Sequence, residues 1–424
     1  MENNKIFINI SAKINNFDEN YKIAFLDIKE RYNVEIFNYY INWNISDKEI
    51  QELNNSWINM KEYINDDDLL EKVKIIKKDK TEYFISTYVE NCIIITNEIR
   101  KLLGQKISDY PELFRNKRLQ RELLLKSDKW VWTKFKKINI SNVTFNEIKE
   151  EFWLPFVIKP SNWVQSAWVS VIGNEENFNK YINNFEKFLV KFSEKANLEE
   201  LEMIIEEYID WDKYCIEYYV DEKWKINTFS EPTFILWWTD IWIDDLFEFV
   251  TISSQNTVKN LDINKLKDFI IETVKISWIR NSYIHHEFKL TLKNLFKSVE
   301  LNWRIGGHRT EIYRESSNLN LLDFMFEWKW YITSNNNFAT ILFYSEEDWI
   351  LKEFNKTLIE EIKKLKSYFY IWLVEENIWK KVWLTKKWFS KSAKLRLKNS
   401  DFKQLEKDIK FIENTYKDLL ILEK

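Results

Sequence analysis

The sequence predicts a mixed α+β protein in three parts, and three observations carry that prediction. Its 424 residues exceed what a single core organises at roughly 150 residues per domain. Short apolar runs alternate with helix-like stretches through the first part, as in an α/β unit. The C-terminus is helical by pattern: Phe402, Leu405, Ile409, Ile412, Tyr416 and Leu419 follow 3–4 spacing, with Ser400 as the expected cap.

In chain order, residues 5–10 and 34–41 read as strands, and 83–103 as a strand followed by a helix. Gly104 would close that helix, because glycine tolerates the left-handed turn of a helix C-terminus. These elements assign residues 1–113 to an N-terminal α/β domain. Residues 114–136 carry a basic, helix-like stretch. Strands and loops dominate 150–330, with helices expected near 176–194, 262–276 and 316–328. Residues 114–332 form the expected central, site-bearing part. From 333 to 424 an α+β segment follows, with strands at 338–344 and 370–376 flanking a charged stretch.

Composition narrows the function. Hydrophobic residues make up 45% and charged residues 31%, which fits a folded globular protein and argues against disorder. A net charge of −4 gives no basic field for nucleic acid or an anionic membrane. Two cysteines, Cys92 and Cys215, are too few for a disulfide scaffold or a zinc finger. The start, MENNKIFINISAK, lacks the basic and apolar regions of a secretory signal. No uncharged apolar run reaches a membrane-spanning length. A cytoplasmic location is expected, and a homo-oligomer is compatible with the composition.

Two counts are anomalous. Glycine occurs 4 times and tryptophan 21 times, whereas average usage predicts about thirty glycines. A chain with this many turns needs residues that accept positive φ, and tryptophan does not. Several tryptophans stand where glycine is expected: Trp211 after Asp210, Trp224 after Lys223, and the Trp237–Trp238 pair. UGA is read as tryptophan in some genetic codes and as glycine in others. Translation by the wrong table would turn UGA-encoded glycines into tryptophan and spare those encoded by GGN. Gly104, Gly173, Gly306 and Gly307 would be the spared set.

Three segments carry chemistry. In FVIKPSNWVQSAWVSVI (156–172) a strand delivers Lys159 to a small polar loop that begins at Ser161. That arrangement places an ammonium and backbone N–H groups on phosphate; a solvated surface hairpin would share the pattern. With glycine at 163 and 168 the loop is flexible enough to cover a phosphate. With tryptophan, close backbone approach is blocked.

The second segment, HHEFKLTLKNLFKSVELNWRIGG (285–307), reads as a hairpin with its turn near Leu292–Leu295. A symmetric register opposes Glu287 to Glu300 and His285 to Asn302, and alternation puts Glu300, Asn302 and Arg304 on one face. Opposed carboxylates repel unless a cation lies between them. Two carboxylates and an amide oxygen suit Mg²⁺ on nucleotide phosphates, and Arg304 could then hold transferred phosphoryl oxygens. A solvated polar face is the plain alternative. All three histidines (285, 286, 308) lie in or beside this segment, which also permits a His/Glu transition-metal site. His286 is expected to point into the core.

The third segment, MIIEEYIDWDKYCIEYYV (203–220), is an apolar strand running into Glu206, Glu207, Tyr208 and Ile209. It could read an adenine edge through backbone groups, as could any amphipathic strand of this kind.

In this order and spacing the three segments resemble the ATP-grasp superfamily over nearly the whole chain. The branch most similar contains carboxylate–amine ligases such as L-amino-acid ligases, with carbamoyl-phosphate-synthase-like domains. VELNWRIGG matches the E-x-N-x-R-x-G-G signature, and Glu300 follows Glu287 at the matching interval. The resemblance implies a two-lobed ATP-grasp core preceded by a pre-ATP-grasp domain. It implies ATP and Mg²⁺ (or Mn²⁺) as cofactors and small-molecule carboxylate and amine substrates.

By the same resemblance Lys117 and Lys159 bind nucleotide, Glu206–Ile209 form the adenine hinge, Glu287, Glu300 and Asn302 hold metal, and Arg304 steadies the intermediate. Lys213 departs from it, since many relatives place a ribose-binding glutamate there. At 163, 168 and 211 many relatives have glycine, and at 303 proline is commoner. Implied is phosphorylation of a carboxylate by ATP, then attack by an amine. A bicarbonate-phosphorylating enzyme is the alternative, or a non-catalytic nucleotide-binding module if the tryptophans are genuine.

Overall fold

The computed structural model describes residues 4–423 apart from 12–18, 42–45, 115, 128–130, 140–141, 162–167, 193–201, 210, 238–247, 292–293, 328–330, 346–348 and 383–390. The loop containing Trp163 therefore lies outside the described residues, as do Asp210 and Trp238.

A four-stranded parallel sheet comes first, in the order Ile58–Glu62, Glu35–Tyr40, Asn4–Ile10, Thr81–Thr87. Its strands are apolar on both faces because both are covered. Phe7, Ile36 and Ile58 pack with the Glu19–Tyr32 helix on one side, while Ile8, Ile10 and Ile85 pack with Leu69, Val73 and Ile99 on the other. The expected α/β pattern is present, with three helices (Glu19–Tyr32, Asp47–Asn55, Asp66–Ile76) that the sequence reading did not mark. The Ile93–Leu102 helix ends as expected at Gly104 (φ 81°), with Gln105 N–H bonded to the Arg100 carbonyl.

Two further sheets build the site. A small antiparallel one runs Phe135–Ile138, Met203–Glu207, Phe156–Pro160, Ser170–Ile172. The large sheet starts at Phe296–Asn302 and continues through Ser282–Leu290, Lys213–Val220, Thr233–Trp237, Glu248–Ser253, Asn337–Phe343, Ala393–Asn399 and Tyr368–Leu373. Strands from the last ninety or so residues thus extend the sheet that carries the site. The core of that extension is Leu351, Leu395, Leu397, Leu405, Ile409 and Ile412.

Local expectations met mixed outcomes. The helices Glu175–Phe192 and Ile263–Ser277 lie where periodicity put them. The helix expected at 316–328 is instead Arg309–Ser317 followed by a short 3₁₀ turn, Leu321–Met325. Its sequence, RTEIYRESS, has no apolar stripe, because polar residues such as Arg309, Thr310 and Glu311 are themselves buried there. Among the described residues, the basic stretch at 114–136 holds an α-helix only over Lys117–Leu124. The C-terminal helix is Phe402–Thr415, and its cap is Asp401 rather than Ser400: the Asp401 carboxylate accepts from Lys403 N–H at 3.0 Å. Asp401→Ala should lower stability by about 1 kcal/mol in denaturant titration; an unchanged midpoint would show that the cap contributes nothing.

The backbone sharpens the tryptophan anomaly. The described non-glycine residues with φ between 46° and 69° are Asn33, Trp57, Lys80, Trp168, Trp224, Trp278, Asn281, Asn294, His308, Asn318 and Trp379. Asparagine is tolerated there, but a bulky aromatic residue is an outlier. Trp278 (φ 53°, ψ 32°) caps the Ile263–Ser277 helix in the left-handed conformation, the same role that Gly104 performs after its own helix. Trp224 ends the tight Asp221–Lys225 turn between two strands, where hairpin loops place glycine. Trp57 and Trp379 are 71% and 65% exposed, so little packing offsets the strain, although the Lys29 ammonium lies 5.0 Å from the centre of the Trp57 ring. Trp303 is the contrast: it is buried among core residues. The turn expected at Asp210–Trp211 includes Asp210, which lies outside the described residues.

Candidate active site

The hairpin Ser282–Leu290/Phe296–Asn302 sets the geometry. Its register opposes Glu287 to Glu300 and His285 to Asn302, as the symmetric reading requires, and shifts by one beyond Glu287. The carboxylates are separated in charge by lysines from neighbouring elements. Lys213 Nζ lies 2.7 Å from Glu287 Oε2, and Lys117 Nζ lies 3.0 Å from Glu300 Oε1. Burial works against the charge of Glu287, but Lys213 and His285 hold it well below the ordinary carboxylate range. Burial likewise opposes Glu300; Lys117 outweighs it and keeps the carboxyl low. Both carboxyl groups are therefore ionised at neutral pH.

Asn302 completes this face. It is buried, and its Oδ1 has no hydrogen-bond partner among the described residues. An orphaned amide oxygen beside two opposed carboxylates fits a hard divalent cation. Among the described residues no group of three His, Cys, Asp or Glu side chains could hold a metal unaided.

The small sheet carries the residues expected to meet phosphate. Lys159, near the end of Phe156–Pro160, is buried, with Nζ 2.6 Å from Glu206 Oε2. Burial pushes its pKa down to about 8 against the pull of Glu206. Arg121 Nε meets the other oxygen of Glu206 at 2.9 Å, so this carboxylate, expected in an adenine hinge, serves as an anchor for two cations. Lys117 N–H donates to the Ser161 carbonyl at 2.8 Å, tying Lys117 to the end of the strand that carries Lys159. Glu207 is engaged by Lys297 and by Lys134 N–H, and the Ile209 carbonyl accepts from Lys289, whose ammonium also lies 5.2 Å from the centre of the Tyr208 ring. Lys117, Lys159, Glu287, Glu300 and Asn302 thus occupy one region, bordered by the 206–209 segment.

Arg304 is met from the N-terminal domain: its Nη2 lies 3.3 Å from Glu90 Oε2. The sequence reading missed Glu90, which lies in a short 3₁₀ turn after the first sheet. Burial raises its pKa, with Arg304 opposing the rise. Glu217 was also missed. It is fully buried, accepts from His285 Nδ1 at 2.5 Å and from Gly306 N–H at 3.2 Å, while His285 Nε2 lies 3.5 Å from Glu287. A side chain on Gly306 would collide with the His285 ring at 2.4 Å, so glycine is required at that point of the signature. Glu217 had a readable signal, since it stands directly across from His285 in the strand register. His286, as expected, points into the core, between Tyr218 and Ser298, and burial pushes its pKa down to about 3.

Residues 152–312 match the family profile of the ATP-grasp domain. Among solved structures the chain resembles an L-amino acid ligase from Bacillus licheniformis (TM-score 0.72, 13% identity, covering 100% of both chains). It also resembles an N5-carboxyaminoimidazole synthetase from Staphylococcus aureus (0.62, 14%, 97% of both) and a biotin carboxylase from Campylobacter jejuni (0.59, 12%, 100% of this chain and 92% of that one). No curated protein sequence matches the chain.

Proposed function

We propose, for a chain that has the ATP-grasp fold and carries an ATP-grasp domain over residues 152–312, an ATP-dependent carboxylate–amine ligase activity that releases ADP by way of an acyl phosphate. The observation that supports it most is the opposed Glu287–Glu300 pair with the orphaned Asn302 oxygen beside it. Mg²⁺, when bound, would screen the charge on the nucleotide phosphates. Glu287, Glu300 and Asn302 would hold it, and Lys117 and Lys159 would fix the phosphates. Arg304, oriented by Glu90, would meet the oxygens of the transferred phosphoryl group. The substrates in this reading are an amino acid or similar small carboxylate and an amine, and the three-part division at 113 and 332 stands with it.

The reaction is tested by incubating the protein with ATP, Mg²⁺, hydroxylamine and a panel of amino acids. Carboxylate-dependent ADP release with hydroxamate formation is expected, and it should stop on chelation of the metal. ADP release with bicarbonate and no amino acid would instead assign the bicarbonate reading. Lys159→Ala should weaken nucleotide binding by at least about tenfold, the loss of one charge-assisted bond to phosphate. An unchanged affinity in calorimetric titration would remove Lys159 from the phosphate site.

The same reading includes the recoding of tryptophan. Left-handed backbone at Trp57, Trp168, Trp224, Trp278 and Trp379 supports glycine at these positions in the natural protein. Sequencing the gene decides it: UGA codons are expected there, and UGG codons would end the idea.

A further inference from the structure

We propose that Lys394, Arg396, Thr340 and His308 form a binding subsite for an oxyanion, a carboxylate or a phosphate monoester, carried by the second, amine-bearing substrate. The site lies where the Ala393–Asn399 and Asn337–Phe343 strands pack on the Arg309–Ser317 helix. Alternation puts Lys394, Arg396 and Lys398 on one face of their strand, and Thr340 is the register partner of Arg396. His308 directly follows the Gly306–Gly307 pair of the signature.

Charge balance argues for a missing anion. Lys394 and Arg396 are both buried and share a single carboxylate: Lys394 Nζ is 3.2 Å from Glu311 Oε2, and Arg396 meets the other oxygen. Behind them Lys398 (3.0 Å) and Arg314 (3.0 Å) share Glu315. Lys398 and Arg314 are partly exposed, so the imbalance lies with the buried pair, Lys394 and Arg396, which share the one carboxylate of Glu311. Burying an unbalanced positive charge is costly unless a counter-ion joins it.

The polar atoms agree. The Thr340 hydroxyl is buried with no partner among the described residues. Lys394 donates to His308 Nδ1 at 2.8 Å, which leaves the ring proton on Nε2 as a further donor. Burial, then Lys394, Lys391, Arg309 and Arg396, hold the His308 pKa far below its usual value, so the ring stays neutral in this positive field. Donors therefore surround a place with too few acceptors. Glu311, Glu315 and Glu248 are the carboxylates that face the cluster, and each is already engaged by a cation.

The owner of the anion rests on the ligase reading; the anion site itself does not. Calorimetry with inorganic phosphate and with acetate tests it on the full chain saturated with a non-hydrolysable Mg-ATP analogue, which fills all three of the nucleotide's own phosphate positions. One equivalent of phosphate or acetate is expected to bind, and Lys394→Met and Arg396→Met should each weaken it by at least about tenfold. Thr340→Val, which keeps side-chain volume and both ion pairs, should weaken it about two- to tenfold. Tighter phosphate assigns a phosphate monoester and tighter acetate a carboxylate; either supports the subsite. No binding of either anion, or equal binding by wild type and Thr340→Val, overturns it. Binding is read without turnover, so an absence of carboxylate-dependent ADP release would sink the ligase reading and leave this result standing.

Discussion

Protein carrying glycine at positions 57, 168, 224, 278 and 379 is expected to be more stable than the protein with tryptophan there by about 2–5 kcal/mol. A left-handed L-residue costs roughly 1–2 kcal/mol, and the added freedom of glycine in the unfolded chain returns about 0.5–1 of it. The sites are mostly remote from one another, so their effects should nearly add. Trp224 and Trp278 are the exception, with ring centroids 5.5 Å apart and Arg280 stacked 3.4 Å over Trp224. Losing that stack, together with the edge contacts of Trp168 with Phe185 and Tyr181, offsets part of the gain, by about 1–2 kcal/mol. Against a total of about 5–15 kcal/mol for a folded protein, the expected gain is large. Urea titration of both proteins measures it. Trp303 supplies the internal control: it is buried in the core, and Trp303→Gly should destabilise by about 3–5 kcal/mol. If the five-glycine protein is no more stable, the backbone argument for recoding fails.

The parts of the site that could be read from sequence were those fixed by local geometry. A hairpin has few registers, and charge pattern plus alternation were enough to oppose Glu287 to Glu300 and put Asn302 beside them. Lys159 was readable for the same reason, as a lysine where an apolar strand meets a small polar loop. Glu90 was not, because nothing local marks a glutamate in a short turn as the partner of an arginine 214 residues away. Helix ends were misplaced where their usual punctuation is missing. With so little glycine and proline, the start of the Arg309–Ser317 helix is marked only by His308 at φ 63°, a residue type that announces no cap. The fold class was legible despite this, since the parallel sheet and the C-terminal helix rest on apolar periodicity, which glycine loss does not disturb.

Glu300→Gln should lower carboxylate-dependent ADP release by about 10²–10³-fold, the scale on which one charge-stabilising group in a closed site is felt. The amide keeps the shape of the side chain but is a poor ligand for a hard cation. The structural cost should be smaller. Lys117 loses its 3.0 Å partner, yet Glu90 and Glu287 also favour its charged form, so the lysine is not left without anionic neighbours. The Glu300 side chain is 21% exposed, so the destabilisation should be about 1–2 kcal/mol, below that of a fully buried broken pair. Two readouts separate the effects: circular dichroism and melting temperature report the fold, and Mn²⁺ titration in the presence of ADP reports the metal. A folded variant with weakened Mn²⁺ binding and lost turnover places Glu300 on the metal. A variant that turns over at a near-normal rate, with Mn²⁺ affinity unchanged, removes Glu300 from the site and with it the pairing on which the ligase reading stands.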